Sequence, residues 1–149
     1  MSGGSTTAEI GLRDSPELLP PAGHYSHVTL HRDLVFVSGQ LPITAQGTSL
    51  ALRPFAEQAL QVLGNVDACL RVAGVDRRDL LSTTVSVTDI GDWPLFDAVY
   101  REWLGDHRPA RAVAQVAALH YGAALEMQVI ARRPMRATHH DADGNGEHR

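Results

Sequence analysis

Residues 80–90, LLSTTVSVTDI, narrow the possible folds of this 149-residue chain more than any other stretch. Val85 and Val87 alternate with Thr84, Ser86 and Thr88. Strict two-residue alternation marks a strand with one apolar face and one polar face. Just upstream, PFAEQALQVLGNVDACLRVAG changes period, with Phe55, Ala59, Val62, Val66, Cys69 and Ala73 recurring at helical spacing. Pro54 suits the first turn of that helix and Gly74 its C-terminal stop. A half-buried strand beside an amphipathic helix requires a layered fold in which the helix covers the strand's apolar face.

The remaining elements extend the pattern. SHVTLHR and LVFVSGQLP read as two strands joined by a turn at Arg32-Asp33. Asp92 is a suitable N-cap for a second helix with Phe96, Val99, Tyr100 and Trp103 on its apolar stripe and Gly105 after it. Strands are expected over 110–118 and 125–133. In the first of these Arg111, Val113 and Gln115 share a face; in the second Leu125, Met127 and Val129 share one face, and Glu126 and Gln128 take the other. The expected order is β-β-α-β-α-β-β, an α+β fold with a mixed sheet and both helices on one face. The uncovered face carries Thr, Ser and Gln among small apolar groups, a surface that meets water or another subunit. Residues 1–23 are polar and Pro/Gly-rich and read as a flexible arm, 24–136 as the folded domain, and 137–149 as a disordered tail.

Composition excludes several functions. A net charge of -4 argues against a general nucleic-acid binder. One cysteine, Cys69, rules out an intramolecular disulfide and a cysteine-rich zinc site, and fits a reducing compartment. The chain has no lysine, so lysine Schiff-base chemistry and a GK[ST] phosphate loop are both impossible. No apolar run is long enough to span a bilayer, and MSGGSTTAEIGLRDS lacks the basic start and apolar stretch of a signal peptide, so a cytoplasmic location is expected. His24, His27 and His31 do not suggest a metal site, because 27 and 31 share a strand face and 24 points away. DADGNG mimics the opening of a calcium loop, but no glutamate follows at the twelfth position.

Three segments in register, VSGQLP, TTVSVTDIGDW…F…VY…W and RPARAVAQVAAL…LEMQVIA, closely resemble the RidA/YjgF family of enamine/imine deaminases. The resemblance covers roughly residues 20–134. It implies a chorismate-mutase-like α+β fold and a homotrimer whose sheets form a central barrel, with clefts between subunits. It further implies that Arg111 binds a substrate carboxylate and that Glu126 positions or activates water. Tyr25, Ser38 and Gly39 match pocket-lining positions. Asp97 stands where the family often has a pocket asparagine, Val113 where it often has a cysteine, and His120 where a proline is usual.

Arg111 thus has two readings, a strand-end arginine in a structural ion pair or a bidentate carboxylate anchor. Glu126 is either a solvent-facing alternate position or a carboxylate that orients water or takes its proton. Ser38 lacks the G-x-S-x-G elbow of a nucleophile and reads as a hydroxyl donor or a space-making small residue. Tyr25 is a lid or a hydrogen-bond donor. Arg132, Arg133 and Arg136 could contact RNA or protect a sheet edge. The expected activity is hydrolysis of 2-imino or 2-enamino acids to 2-oxo acids and ammonia, with no metal or organic cofactor. The alternatives are a non-catalytic small-carboxylate sensor, a pathway-specific deaminase and an RNA-cleaving protein.

Overall fold

A computed structural model describes residues 9–134. It contains β1 (Gly11–Arg13), β2 (Val28–His31), β3 (Leu34–Gln40), α1 (Phe55–Val72), β4 (Leu80–Val87), α2 (Trp93–Leu104), β5 (Ala110–Gln115) and β6 (Leu125–Arg132). The strands form one sheet in the order β1-β2-β3-β6-β4-β5. Only the β4–β5 pair is parallel, because α2 serves as the crossover between them.

The sequence pattern explains this architecture. His31 pairs with Leu34 across a two-residue turn in which Arg32 takes φ 54°. Val28, Leu30, Val35, Val37, Val85, Val87, Leu125, Met127, Val129 and Ala131 are all buried in one core with Ala59, Val62, Val66 and Cys69 of α1 and Phe96 and Tyr100 of α2. Both helices therefore pack on one face. The opposite face carries Thr29, Phe36, Ser82, Thr84, Gln128 and Ile130 around a shallow depression. Phe36 stays 40% exposed there, a large apolar surface for an isolated chain.

Two expectations need correction. Part of the segment read as a flexible arm is structured, since Gly11–Arg13 pairs with Leu30–Val28 as an edge strand. Beyond it, His27 N donates to Asp14 Oδ1 and Ser15 N donates to His27 Nδ1, both at 3.0 Å. Three residues are too short for an alternation signal, and long-range bonds supply the order instead. Asp92 sits at the start of α2 but makes no capping bond; Asp89 accepts from Gly91 N at 2.8 Å in the preceding turn. Residues 1–8 and the tail 137–149 lie outside the described residues.

Phe96 is fully buried, with its ring centroid 5.3 Å from that of Tyr100. Phe96→Ala is expected to leave a cavity under α2 and to cost about 3–5 kcal/mol. Denaturant unfolding against wild type measures this, and a loss below about 1 kcal/mol would mean that α2 is held by other contacts.

Candidate active site

The parallel register places Arg111 beside Thr83, whose Oγ1 lies 2.9 Å from Tyr100 Oη on the helix side of the sheet. Arg111 is thereby directed beneath α2. Its guanidinium carbon lies 4.5 Å from the Trp93 ring centroid and 4.7 Å from that of Tyr100, within cation–π range. Nη1 donates to Asp97 Oδ1 at 3.0 Å, and Asp97 Oδ2 accepts from Arg101 Nη2 at 3.1 Å. The hydrogen bond from Arg111 is the main reason the Asp97 carboxyl is held below the usual carboxylate range. Among the described residues this is the one hydrogen bond the Arg111 side chain makes, although a guanidinium carries five N–H donors. Val113, two positions on and on the same face, packs half-buried against the core.

Glu126 belongs to a different surface. Its neighbours in β6, Leu125 and Met127, are fully buried under the helices, so alternation turns Glu126 to the open face. There it lines a cleft of about 620 Å³ with Tyr25, Ser38, Gly39, His120 and Tyr121. Gly39 leaves room for this position of Glu126: a Cβ at 39 would lie 2.8 Å from Glu126 Cδ, and the carboxylate would have to shift. Ser38 Oγ donates to Ser26 O at 2.7 Å, so its proton is already engaged and its lone pairs are what the hydroxyl has left to offer. Among the described residues the Glu126 side chain makes no hydrogen bond or ion pair, and its carboxylate is open to the cleft.

The cleft floor is supported by buried amides. Asn65 Nδ2 donates to Leu41 O and Ile43 O, fixing the loop after β3 to α1. Gln58 holds Ala51 O and Arg53 O and accepts from Ala124 N, tying the 120–124 turn to the same helix. Burial pushes the Cys69 thiol up to about 12, which removes it as a nucleophile. Among the described residues no cluster of three or more His, Cys, Asp or Glu is placed to hold a metal, and no helix is long and apolar enough to cross a membrane.

The profile of the Endoribonuclease L-PSP family matches residues 16–133. The chain belongs to this family, the RidA/YjgF family. It is 38% identical over 121 residues to the RutC family protein y4sK of Sinorhizobium fredii, covering 81% of this chain and 94% of that one. It is 34% identical over 109 residues to human 2-iminobutanoate/2-iminopropanoate deaminase, covering 73% and 80%. Among solved structures it resembles yeast Mmf1, with a TM-score of 0.81 and 28% identity over 85% of this chain and 100% of that one. It also resembles E. coli TdcF with bound serine, with a TM-score of 0.78 and 30% identity over 83% and 99%.

Within this RidA/YjgF chain the sequence-predicted residues fall into two groups. Tyr25, Ser38, Gly39 and Glu126 share the cleft, while Arg111, Asp97 and Val113 lie together at the β5–α2 edge. Arg111 and Glu126 are on opposite faces of the sheet. Two arginines, Arg111 and Arg101, hold the Asp97 carboxylate, so its charge is engaged within the chain. Sequence reasoning missed the aromatic sandwich of Trp93 and Tyr100, which joins residues on different elements. It also missed Tyr121 as a cleft residue, although an aromatic beside Gly122 in a short connection was a visible turn signal.

Because the folded-state pKa of Asp97 is lowered, its pairing stabilises the fold fully above the unfolded pKa of about 3.9, and the gain vanishes as pH falls through the lower folded value. Asp97→Asn is therefore expected to be less stable than wild type at neutral pH, with the gap closing in acid below pH ~3.9. Melting temperatures across pH check this. A gap that does not change with pH would show that the ionised pair contributes nothing.

Proposed function

We propose that this chain hydrolyses reactive 2-imino and 2-enamino acids to 2-oxo acids and ammonia, in clefts between the subunits of a homotrimer. The observation that carries the reading is Glu126, an unpaired carboxylate held against Gly39 in a largely apolar cleft. Membership of the RidA/YjgF family and the deaminase names of the human, rat and bovine relatives support it.

In this reading Arg111 of one copy grips the substrate carboxylate while Glu126 of the next receives the imine. Water adds to the imine carbon and forms a C–O bond, with Glu126 accepting its proton. That proton passes to nitrogen to give a carbinolamine; Glu126 then carries the hydroxyl proton to the same nitrogen as the C–N bond breaks, so ammonia leaves and the carbonyl forms. Tyr25 and Ser38 border the reacting group, and Gly39 leaves room for it. An imine carbon is already electrophilic, so the chemistry calls for no cofactor. A single cysteine and no disulfide suit a reducing compartment such as the cytoplasm. Placement supports the assembly: Arg111 and Glu126 lie on opposite faces of one sheet, so a site using both calls for two copies, and the open face with Phe36 offers a surface for packing them.

One observation favours a second reading, a non-catalytic carboxylate-binding trimer. Asp97 already engages Arg111, as a structural ion pair would. Activity against imino acids generated in situ separates the two readings.

Arg111→Ala is expected to lower kcat/KM by about 10- to 150-fold or more, with Arg111→Lys recovering only part because it lacks the planar fork. Glu126→Gln is expected to be similarly impaired. Co-refolding equal amounts of Arg111→Ala and Glu126→Gln tests the shared cleft. Random assembly gives about a quarter of sites with both native groups, so activity returns on mixing. No recovery from a mixture shown to form mixed trimers would place both residues in one copy's site and overturn the inter-subunit reading.

A further inference from the structure

His27 directly precedes β2, is only 5% exposed, and borders the same cleft as Ser38, Gly39 and Glu126. The segment after β1 holds it on two sides. Ser15 N donates to His27 Nδ1 at 3.0 Å, and the His27 backbone N donates to Asp14 Oδ1 at 3.0 Å. That segment is itself anchored, since Arg71 of α1 donates to both carboxylate oxygens of Glu17 at 2.9 Å. A ring nitrogen that accepts from a backbone N–H carries no proton, so the Ser15 bond assigns the tautomer and puts the ring proton on Nε2. Among the described residues the ring makes no other hydrogen bond, and His31 Nδ1 is the one fully buried side-chain nitrogen or oxygen without a partner. His27 Nε2 is therefore not sealed in the core. It is reached from the cleft, the open space that the ring borders.

The sheet brings this donor and the Glu126 carboxylate to either side of one strand. Ser38 N donates to His27 O at 3.0 Å, so His27 stands beside Ser38. Gly39, the next residue, is the one that Glu126 of β6 lies against. His27 and Glu126 thus flank the Ser38–Gly39 segment, their backbones two strand spacings, or about 10 Å, apart. A fixed donor on one side and a free acceptor on the other match a water molecule held between them. The hydroxyls of Thr44 and Ser49 also border the cleft, but hydroxyls rotate, whereas Ser15 holds the imidazole in one orientation.

We propose that His27 is a further catalytic residue: its Nε2–H donates to the oxygen of the attacking water while Glu126 takes that water's proton. This rests on the deaminase reading and adds the group that orients its nucleophile. One lone pair of the water is tied to His27 and one O–H to Glu126, which leaves the other lone pair for the imine carbon. That lone pair forms the C–O bond, the proton goes to Glu126, and His27 neither gains nor loses a proton.

Two substitutions separate this role from a structural one. In His27→Asn the amide oxygen stands where Nδ1 does and keeps the Ser15 bond, but the side chain is too short to reach the place of Nε2. In His27→Gln the amide nitrogen reaches that place and the acceptor for Ser15 is lost. Hydrolysis is measured on imines generated in situ from leucine and 2-aminobutyrate with an L-amino acid oxidase, in competition with semicarbazide trapping. Melting temperatures are taken on the same samples. His27→Asn is expected to melt close to wild type and to lose about 3- to 12-fold in kcat with KM little changed, the effect of one neutral hydrogen bond at the reacting oxygen. His27→Gln is expected to melt lower and yet recover most of kcat. A His27→Asn protein as active as wild type, or a His27→Gln protein no faster than His27→Asn, would overturn the catalytic role and leave the deaminase reading standing. Wild type inactive on both imines would remove the deaminase reading and this inference with it.

Discussion

Burial of one face of β6 governs the rest of the molecule. The strand lies between β3 and β4, and Leu125, Met127, Val129 and Ala131 are all buried under the two helices. Alternation then leaves Glu126, Gln128 and Ile130 no choice but the other face. A one-residue slip would place Glu126 in the core, where an unpaired carboxylate costs more than the fold can tolerate. The hydrophobic register of one strand therefore fixes where the candidate catalytic carboxylate stands. Gly39 on the neighbouring strand completes the position by having no side chain there.

The same rule applied to β5 has the opposite result. Its parallel pairing with β4 sets Arg111 level with Thr83 on the covered side, where α2 supplies Trp93, Asp97 and Tyr100. A cation at the rim of an apolar layer needs both an anion and polarisable surface, and α2 provides both from one helical face. Each chain thus presents Arg111 and Glu126 on opposite faces that its own sheet keeps apart. In the proposed homotrimer, a symmetric assembly would repeat both around its axis, so that each cleft would receive one half from each of two copies. That is the economical reading of a chain whose matched family residues do not meet within it.

What the sequence made legible was local. The period of α1, the two-residue turn at Arg32-Asp33, the stop at Gly105 and the division of Leu125, Met127 and Val129 from Glu126 and Gln128 all follow from spacing between near neighbours. β1 was not legible, because three residues carry no period and its order comes from Leu30, Val28 and the His27–Ser15 bond. The Asp97–Arg101 pair was visible in principle as an i,i+4 spacing. Its link to Arg111, and the sandwich of Arg111 between Trp93 and Tyr100, depend on how α2 lies across β5, which spacing does not encode. Resemblance could name Tyr25, Ser38, Gly39, Arg111 and Glu126 as site residues, but the two separate faces they occupy became apparent only in three dimensions.

The charges around Arg111 give Asp97 a role that an asparagine there would not fill. Arg111 and Arg101 with Asp97 sum to a single positive charge at this edge. In the proposed reading, a substrate carboxylate would bring that sum to zero, so binding would neutralise the edge without adding repulsion. With no substrate present, Asp97 shares the half-buried Arg111, whose side chain is 21% exposed, and spares it the cost of standing unpaired. Arg101 is 79% exposed and screened by water and salt, so it contributes less than its formal charge. An asparagine would leave Arg111 more positive and better able to pull in a carboxylate, but less fixed in place before the substrate arrives. Under the proposed function, Asp97 would exchange some attraction for preorganisation, since it holds one edge of the guanidinium and its orientation between the two rings and leaves its other donors unengaged.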